Sequence, residues 1–529
     1  MRSVHVVFAG LTLWALTAAA CDRGRGGGGT GGTETGAAAD TADPICADST
    51  VNHLCPIIPH EVSVRVQAGY TGVHPDVQAH FDVFSWQSFV ALNWPADSKG
   101  QPTGGFADNP STPRVWEYWQ DAAEVYNAGT ATPCNVPPGQ KFMGTMAKNG
   151  DVVDPDGDYD EAVGGPLADV NVNYVLYEKK INSDEVAYLR THNLTTPAGQ
   201  FAADSADTAL VFPQGSSAGP LGAMELKAAW RILQPQSGDD TTRFFTRRGT
   251  IYVPARNSGT GKDLCIQNVL LGLIALHIIH KTEGFGNDWI WSTFEHEDNA
   301  PLCPGTSTCS GGGRRWSLYD SLCVGCATND SLRLRPGDTT FLWAPQPPYA
   351  QYYALQGKYG NQITRTQVTP PWTARVDSTW VGRVANTVWQ HYRLVGSQWM
   401  TGEPHARLVP VPDTLRNTAL ESYLPYSSSC LGCHAFARTL ADTIRKDTGV
   451  FADFSFLLGM AKPRSASLLP LFSSQRAMGR TANVPFRHAS TVVPPIPGQT
   501  GQAPAPPAAP AAPRESAQAT TPATRPRRR

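Results

Sequence analysis

The run Cys430-Leu431-Gly432-Cys433-His434 constrains this chain more than any other. Two thiols three residues apart fit on one turn of chain, and an imidazole follows directly. This C-x-x-C-H spacing is the attachment pattern of a c-type haem. Each thiol can add to one vinyl group of the porphyrin, and the imidazole then falls beneath the iron. Cys430 and Cys433 are therefore expected to carry one haem c covalently, with His434 as the proximal ligand. Gly432 would let the backbone approach the ring closely. The plainer alternative is a disulfide followed by an unrelated histidine. A second pair, Cys323-Val324-Gly325-Cys326, is followed by Ala327 and lacks the imidazole. One haem is expected, not two.

The start of the chain points to export. Arg2 supplies a positive charge, and Val4 to Leu16 is an apolar core too short for a permanent membrane span. Ala18-Ala19-Ala20 before Cys21 resembles the lipobox of bacterial lipoproteins, in which Cys21 would be lipid-modified and would begin the mature chain. Ordinary signal-peptidase cleavage is the alternative. The expected location is a bacterial envelope, periplasmic or anchored to a membrane through a lipid at Cys21. Residues 1–20 read as the signal, and 21–43 as a Gly-rich tether that cannot bury enough apolar surface to fold. Residues 44–480 read as the body, with the haem-binding segment near 420–465. Residues 481–529 form a Pro- and Ala-rich tail of the disordered kind. The formal net charge of −2 offers no basic field for nucleic acid.

Within the body, Phe81 to Leu92 is apolar all round a helical wheel and predicts a buried helix stopped by Pro95. Tyr174 to Ile181, Ile251 to Val253 and Trp289 to His296 read as strands. As a strand, the last puts Trp289, Trp291, Thr293 and Glu295 on one face and Ile290, Ser292, Phe294 and His296 on the other. Val269 to Ile279 is the longest apolar stretch of the body and belongs in a core. Ala435 to Arg445 has helical spacing. The expected fold class is therefore α+β: a large irregular body of strands and helices, with a C-terminal, mainly helical haem-binding segment.

Eleven cysteines are present. Setting aside Cys21, Cys430 and Cys433 leaves Cys46, Cys55, Cys134, Cys265, Cys303, Cys309, Cys323 and Cys326. An even number in an exported chain suggests four disulfides of undetermined connectivity. The spacing from Cys303 to Cys326 would also suit zinc, and Cys323 with Cys326 could be a redox-active pair. Asp154, Asp156, Asp158 and Asp160 alternate in a way that hints at calcium. The glutamate of an EF-hand is missing, however, since Gly165 stands in its place, and a solvated acidic loop is the plainer reading.

Several longer runs carry a family resemblance: FSWQSFVALNWP (Phe84 to Pro95), PRVWEYW (Pro113 to Trp119), GPLADVNVNYVLYEKKIN (Gly165 to Asn182), MELKAAW (Met224 to Trp230), LHIIHKT (Leu276 to Thr282), WIWSTFEHEDNAP (Trp289 to Pro301) and SSCLGCHAFA (Ser428 to Ala437). Together they resemble a large bacterial family described only as cytochrome c family proteins. The resemblance runs from about Phe81 to Leu458. It implies that the haem-bearing segment belongs to one extended unit rather than to an appended small cytochrome.

The residue opposite His434 decides what such a haem can do. Met460 lies downstream in an apolar setting, where a Met ligand would raise the potential and a plain core Met is the alternative. Met400 and Met478 are weaker candidates. Upstream, His277 and His280 share a face on a helix but point oppositely on a strand. His296 sits in a polar cluster with Glu295, Glu297, Asp298 and Asn299, which could serve acid/base chemistry or merely hold a loop. His277 is the first expectation for a histidine near the iron, then His296, with Met460 as the rival. Two functions follow. One is electron transfer between exported redox partner proteins. The other is a haem-dependent oxidoreductase, peroxidase-like or acting on a small organic substrate at an open iron.

Overall fold

The computed structural model describes residues 54–62, 75–126, 133–144, 166–205, 210–283, 289–304, 309, 313–323, 326–330, 342–351, 362–401, 409–440 and 449–461. The signal, the tether, the tail, the Asp154–Asp160 run and Met478 lie outside them.

Among the described residues, nine strands make one sheet. They are β1 (Gln120–Asp121), β2 (Lys141–Gly144), β3 (Leu176–Ile181), β4 (Met224–Ile232), β5 (Thr246–Val253), β6 (Leu264–Lys281), β7 (Trp289–His296), β8 (Tyr392–Thr401) and β9 (Val409–Val411). The main path runs β1-β3-β4-β6-β7-β8-β9, with β5 beside β6 and β2 beside β5. Every pairing is antiparallel except β2 with β5. The 18-residue β6 organises the sheet. Its first half pairs with β5 and its second with β7, while β4 follows the other edge.

One face of the sheet carries α1 (Pro75–Leu92) and, beside it, α5 (Pro371–Arg383). The helix α1 is buried from Phe81 to Leu92 on nearly every side, because it is caught between the sheet and α5. Trp86 stacks on Trp380 of α5 at 6.1 Å and meets Phe294 of β7 edge-on at 5.1 Å. Two of its buried polar positions are matched: Ser85 Oγ lies 2.7 Å from both Ser292 and Ser397, and Asp82 accepts from Thr373 at 2.7 Å. Burial of Asp82 nevertheless raises its carboxyl to about 6. The shorter helices α2 (Ala122–Tyr126), α3 (Ser183–Thr191) and α4 (Pro197–Ser205) contribute to a second apolar cluster, which also holds Ile279, Trp291, Cys430 and Leu431.

The expected α+β body with a mainly helical C-terminal haem-binding segment is overturned: the molecule is dominated by its sheet. Two physical reasons account for the error. The long strand β6 is buried from Leu271 to Lys281. A strand covered on both faces shows no alternation and reads like a buried helix. Near the motif, the helical turn α6 spans only Cys430–His434. Beyond it, Ala437, Leu440 and Ala452 face the core from an extended arm. Thr439 N–H donates to Val450 O at 3.1 Å and Ala452 N–H to Ala437 O at 2.9 Å. Residues 441–448 fall outside the described residues.

Candidate functional site

The turn α6 is fastened to the sheet by its own amide groups. The first N–H groups of any helix lack partners within it. Here Ser429, the N-cap, accepts from Gly432 N–H at 3.2 Å through its hydroxyl. Gln398 of β8 accepts from Leu431 N–H at 2.8 Å. The Gln398 amide in turn donates to Pro412 O at 2.7 Å and to Ser429 Oγ at 3.1 Å. Leu431 is fully buried. Gly432 has a local reason to be glycine, since a Cβ there would lie 2.8 Å from Ser429 Oγ and would prise the cap open.

His434 ends the turn. Its Nδ1 donates to the carbonyl of Phe454 at 2.8 Å. A carbonyl only accepts, so Nδ1 carries the proton and the lone pair sits on Nε2, the tautomer an iron ligand needs. The ring is flanked by Trp291 of β7 at 4.4 Å and by Phe456 at 4.9 Å.

Strand register brings polar groups to the same place. Lys227 of β4 pairs with His277 of β6, His277 with Thr293 of β7, and Thr293 with Gly396 of β8. Paired residues share a face, so this row lies on the face that α6 covers. The loop bearing Glu421 closes over it: Asn417 N–H donates to Glu421 at 2.9 Å, and the Asn417 side chain to Thr293 at 3.0 Å. Ligand atoms of His277, Glu421 and Cys430 lie within 4.8 Å of one another. His277 Nε2 has no hydrogen-bond partner and stands 3.6 Å from Glu421. Burial, with the charges of Lys227 and His434, pushes the imidazole well below its ordinary range. Burial raises the Glu421 carboxyl to about 7. With His277 neutral, the two form a polar contact rather than an ion pair. Burial and then the charge of Glu421 also raise both thiols, so Cys430 and Cys433 are protonated.

The other described cysteines are spoken for. Cys134 pairs with Cys265, Cys303 with Cys309 and Cys323 with Cys326, and Cys55 is disulfide-bonded too. The zinc spacing from Cys303 to Cys326 is thus taken up by two disulfides. Among the described residues only Cys430 and Cys433 are free.

The remaining sequence candidates scatter. His280 points away from α6, as strand geometry requires, and its Nε2 hydrogen-bonds Leu221 O at 2.7 Å. His296 also lies on the far face, where its ring stacks on Phe244 at 4.0 Å and Nε2 donates to Arg243 O at 2.9 Å. It is a structural histidine, which burial lowers to about 3. Met460 ends the 3-10 turn Phe456–Met460 and packs on the second apolar cluster, where Met400 is buried. Sequence reasoning missed Lys227, Glu421 and Gln398, which come from separate strands and loops and form no local pattern.

The donor set suits a covalent haem: two thiols on one turn, followed by an imidazole in the required tautomer. The His277–Glu421–Cys430 set could instead hold a zinc-like ion. Cys430 cannot be a thioether and a thiolate ligand at once, so the two chemistries exclude each other. No protein-family model matches the chain, and no curated protein or solved structure matches it significantly.

Proposed function

We propose that this chain is an exported c-type cytochrome of the bacterial cytochrome c family kind. One haem is joined through Cys430 and Cys433, its iron is held by His434, and it passes electrons between exported redox partners. The observation that carries this reading is the pair of free thiols. In a chain whose other described cysteines are oxidised in pairs, two thiols three residues apart remain reduced. Such proximity would favour a disulfide unless another bond claimed them. Bound haem supplies a one-electron centre whose potential follows its ligands and surroundings. The chain's own groups do the rest. Ser429 and Gln398 hold the attachment turn, Phe454 orients His434, and Trp291 and Phe456 flank the imidazole. The signal-like start supports export, with a lipid at Cys21 as the anchor.

A second reading, a haem-dependent oxidoreductase with an open iron, is favoured by the buried His277–Glu421 contact. A neutral imidazole beside a carboxyl raised to about 7 is an acid/base pairing next to the motif. Absorption spectra of oxidised and reduced protein, with and without carbon monoxide, separate the two. Electron transfer predicts no carbon monoxide complex, whereas rapid binding favours the enzyme. His434→Ala is expected to abolish the native Soret band; an unchanged band and potential would refute the ligand assignment.

A further inference from the structure

The carbonyl that receives His434 Nδ1–H is presented by a strained piece of backbone. Phe454 has φ 71° and Asp453 before it φ 45°. Side chains of this size rarely occupy the left-handed region, and such residues persist only where their surroundings fix them. The surroundings do fix them. The Asp453 carboxylate accepts from Lys281 Nζ at the end of β6, from Trp289 Nε1 at 3.3 Å, and from Phe212 N–H at 2.7 Å. Lys281 is 2% exposed, so this is an interior ion pair and not a surface one. On the other side, Ser455 hydrogen-bonds Glu225 of β4 and caps the turn that carries Phe456. The segment 453–455 is thus a strap tied to the sheet at both ends, with the Phe454 carbonyl at its middle.

We propose that Asp453 is a positioning residue for the haem iron: through its ion pair with Lys281 it holds the Phe454 carbonyl against His434 and so sets the orientation and basicity of the ligand. The inference rests on the haem reading above. A partner on the far nitrogen of a ligating imidazole fixes its tautomer and makes it a stronger donor. A stronger donor favours oxidised iron. With the Asp453 carboxylate removed, Lys281 is left buried and unpaired, the left-handed pair relaxes, and the carbonyl leaves His434.

The test uses full-length holoprotein. Asp453→Ala cuts the strap, and Asp453→Asn keeps one acceptor oxygen and removes the charge. Lys281→Met with Asp453→Leu removes the ion pair while leaving no charge unpaired. All are expected to carry covalent haem on a denaturing gel, because Cys430, Cys433 and His434 are unchanged. Asp453→Ala and the double variant should raise the midpoint potential and speed displacement of His434 by added imidazole; Asp453→Asn should fall between them and wild type. Asp169→Asn, which disrupts the separate buried ion pair with Arg231, should lower stability without moving the potential. If Asp453→Ala fails to fold, the other two variants carry the measurement. Haem-loaded variants with unchanged potential and imidazole exchange would overturn the inference alone. Wild-type protein without covalent haem would overturn the haem reading and the inference with it.

Discussion

Gln398→Leu removes polar contacts from the attachment turn while nearly conserving volume. Gln398 is fully buried, opposite Trp291 in the sheet. Its carbonyl oxygen receives Leu431 N–H and its amide serves Pro412 O and Ser429 Oγ. Leucine leaves the buried Leu431 N–H and the half-buried Pro412 carbonyl without partners, at about 1–3 kcal/mol each. Ser429 keeps its bond from Gly432, so its share is small. The expected loss is about 2–6 kcal/mol, read as a lower urea midpoint at unchanged slope. Amide exchange at Leu431 should accelerate along with it. Ser429→Ala alone should cost about 1 kcal/mol, and the double variant should be non-additive, because the two side chains bond each other. A loss under about 0.5 kcal/mol for Gln398→Leu, a tenth to a quarter of that range, would refute the view that β8 holds the turn.

Two further outcomes follow. Replacing Cys134 and Cys265 with Ser opens a loop of sequence separation 131 and should cost up to about 5 kcal/mol on the chain-entropy view; unchanged chemical unfolding would contradict it. Glu117 is lowered to about 2 from 4.5: burial alone would raise it, but Lys141 and then Arg247 outweigh burial. Because the folded value is the lower one, its stabilisation is complete above 4.5 and is lost as pH falls through about 2, worth at most about 3 kcal/mol. Glu117→Gln should flatten the stability curve across that window, and a wild-type slope in the variant would refute the assignment.

Local chemistry was legible in the sequence where neighbours in the chain carry it. The Cys430–His434 turn, the buried helix around Trp86 and the two faces of β7 follow from spacing alone. The disulfides were expected as a class, but their pairing depends on distant strands. The fold class was not legible, because the second half of β6 is covered on both faces and loses the period of two. His296 shows the other limit. Its neighbours in sequence look like a pocket, yet the alternation of β7 turns it to the face away from His434. Glu421, Lys227 and Gln398 reach the motif only through sheet register and loop closure, which no local pattern encodes.

The most direct measurement is the intact mass of denatured protein, purified from a host that matures c-type cytochromes. The expected mass is that of the processed chain plus one haem, with the adduct localised to the peptide containing Cys430 and Cys433 and lost in a Cys430→Ser, Cys433→Ser variant. A bare chain with two titratable thiols at those positions, or with stoichiometric zinc, would contradict the haem assignment.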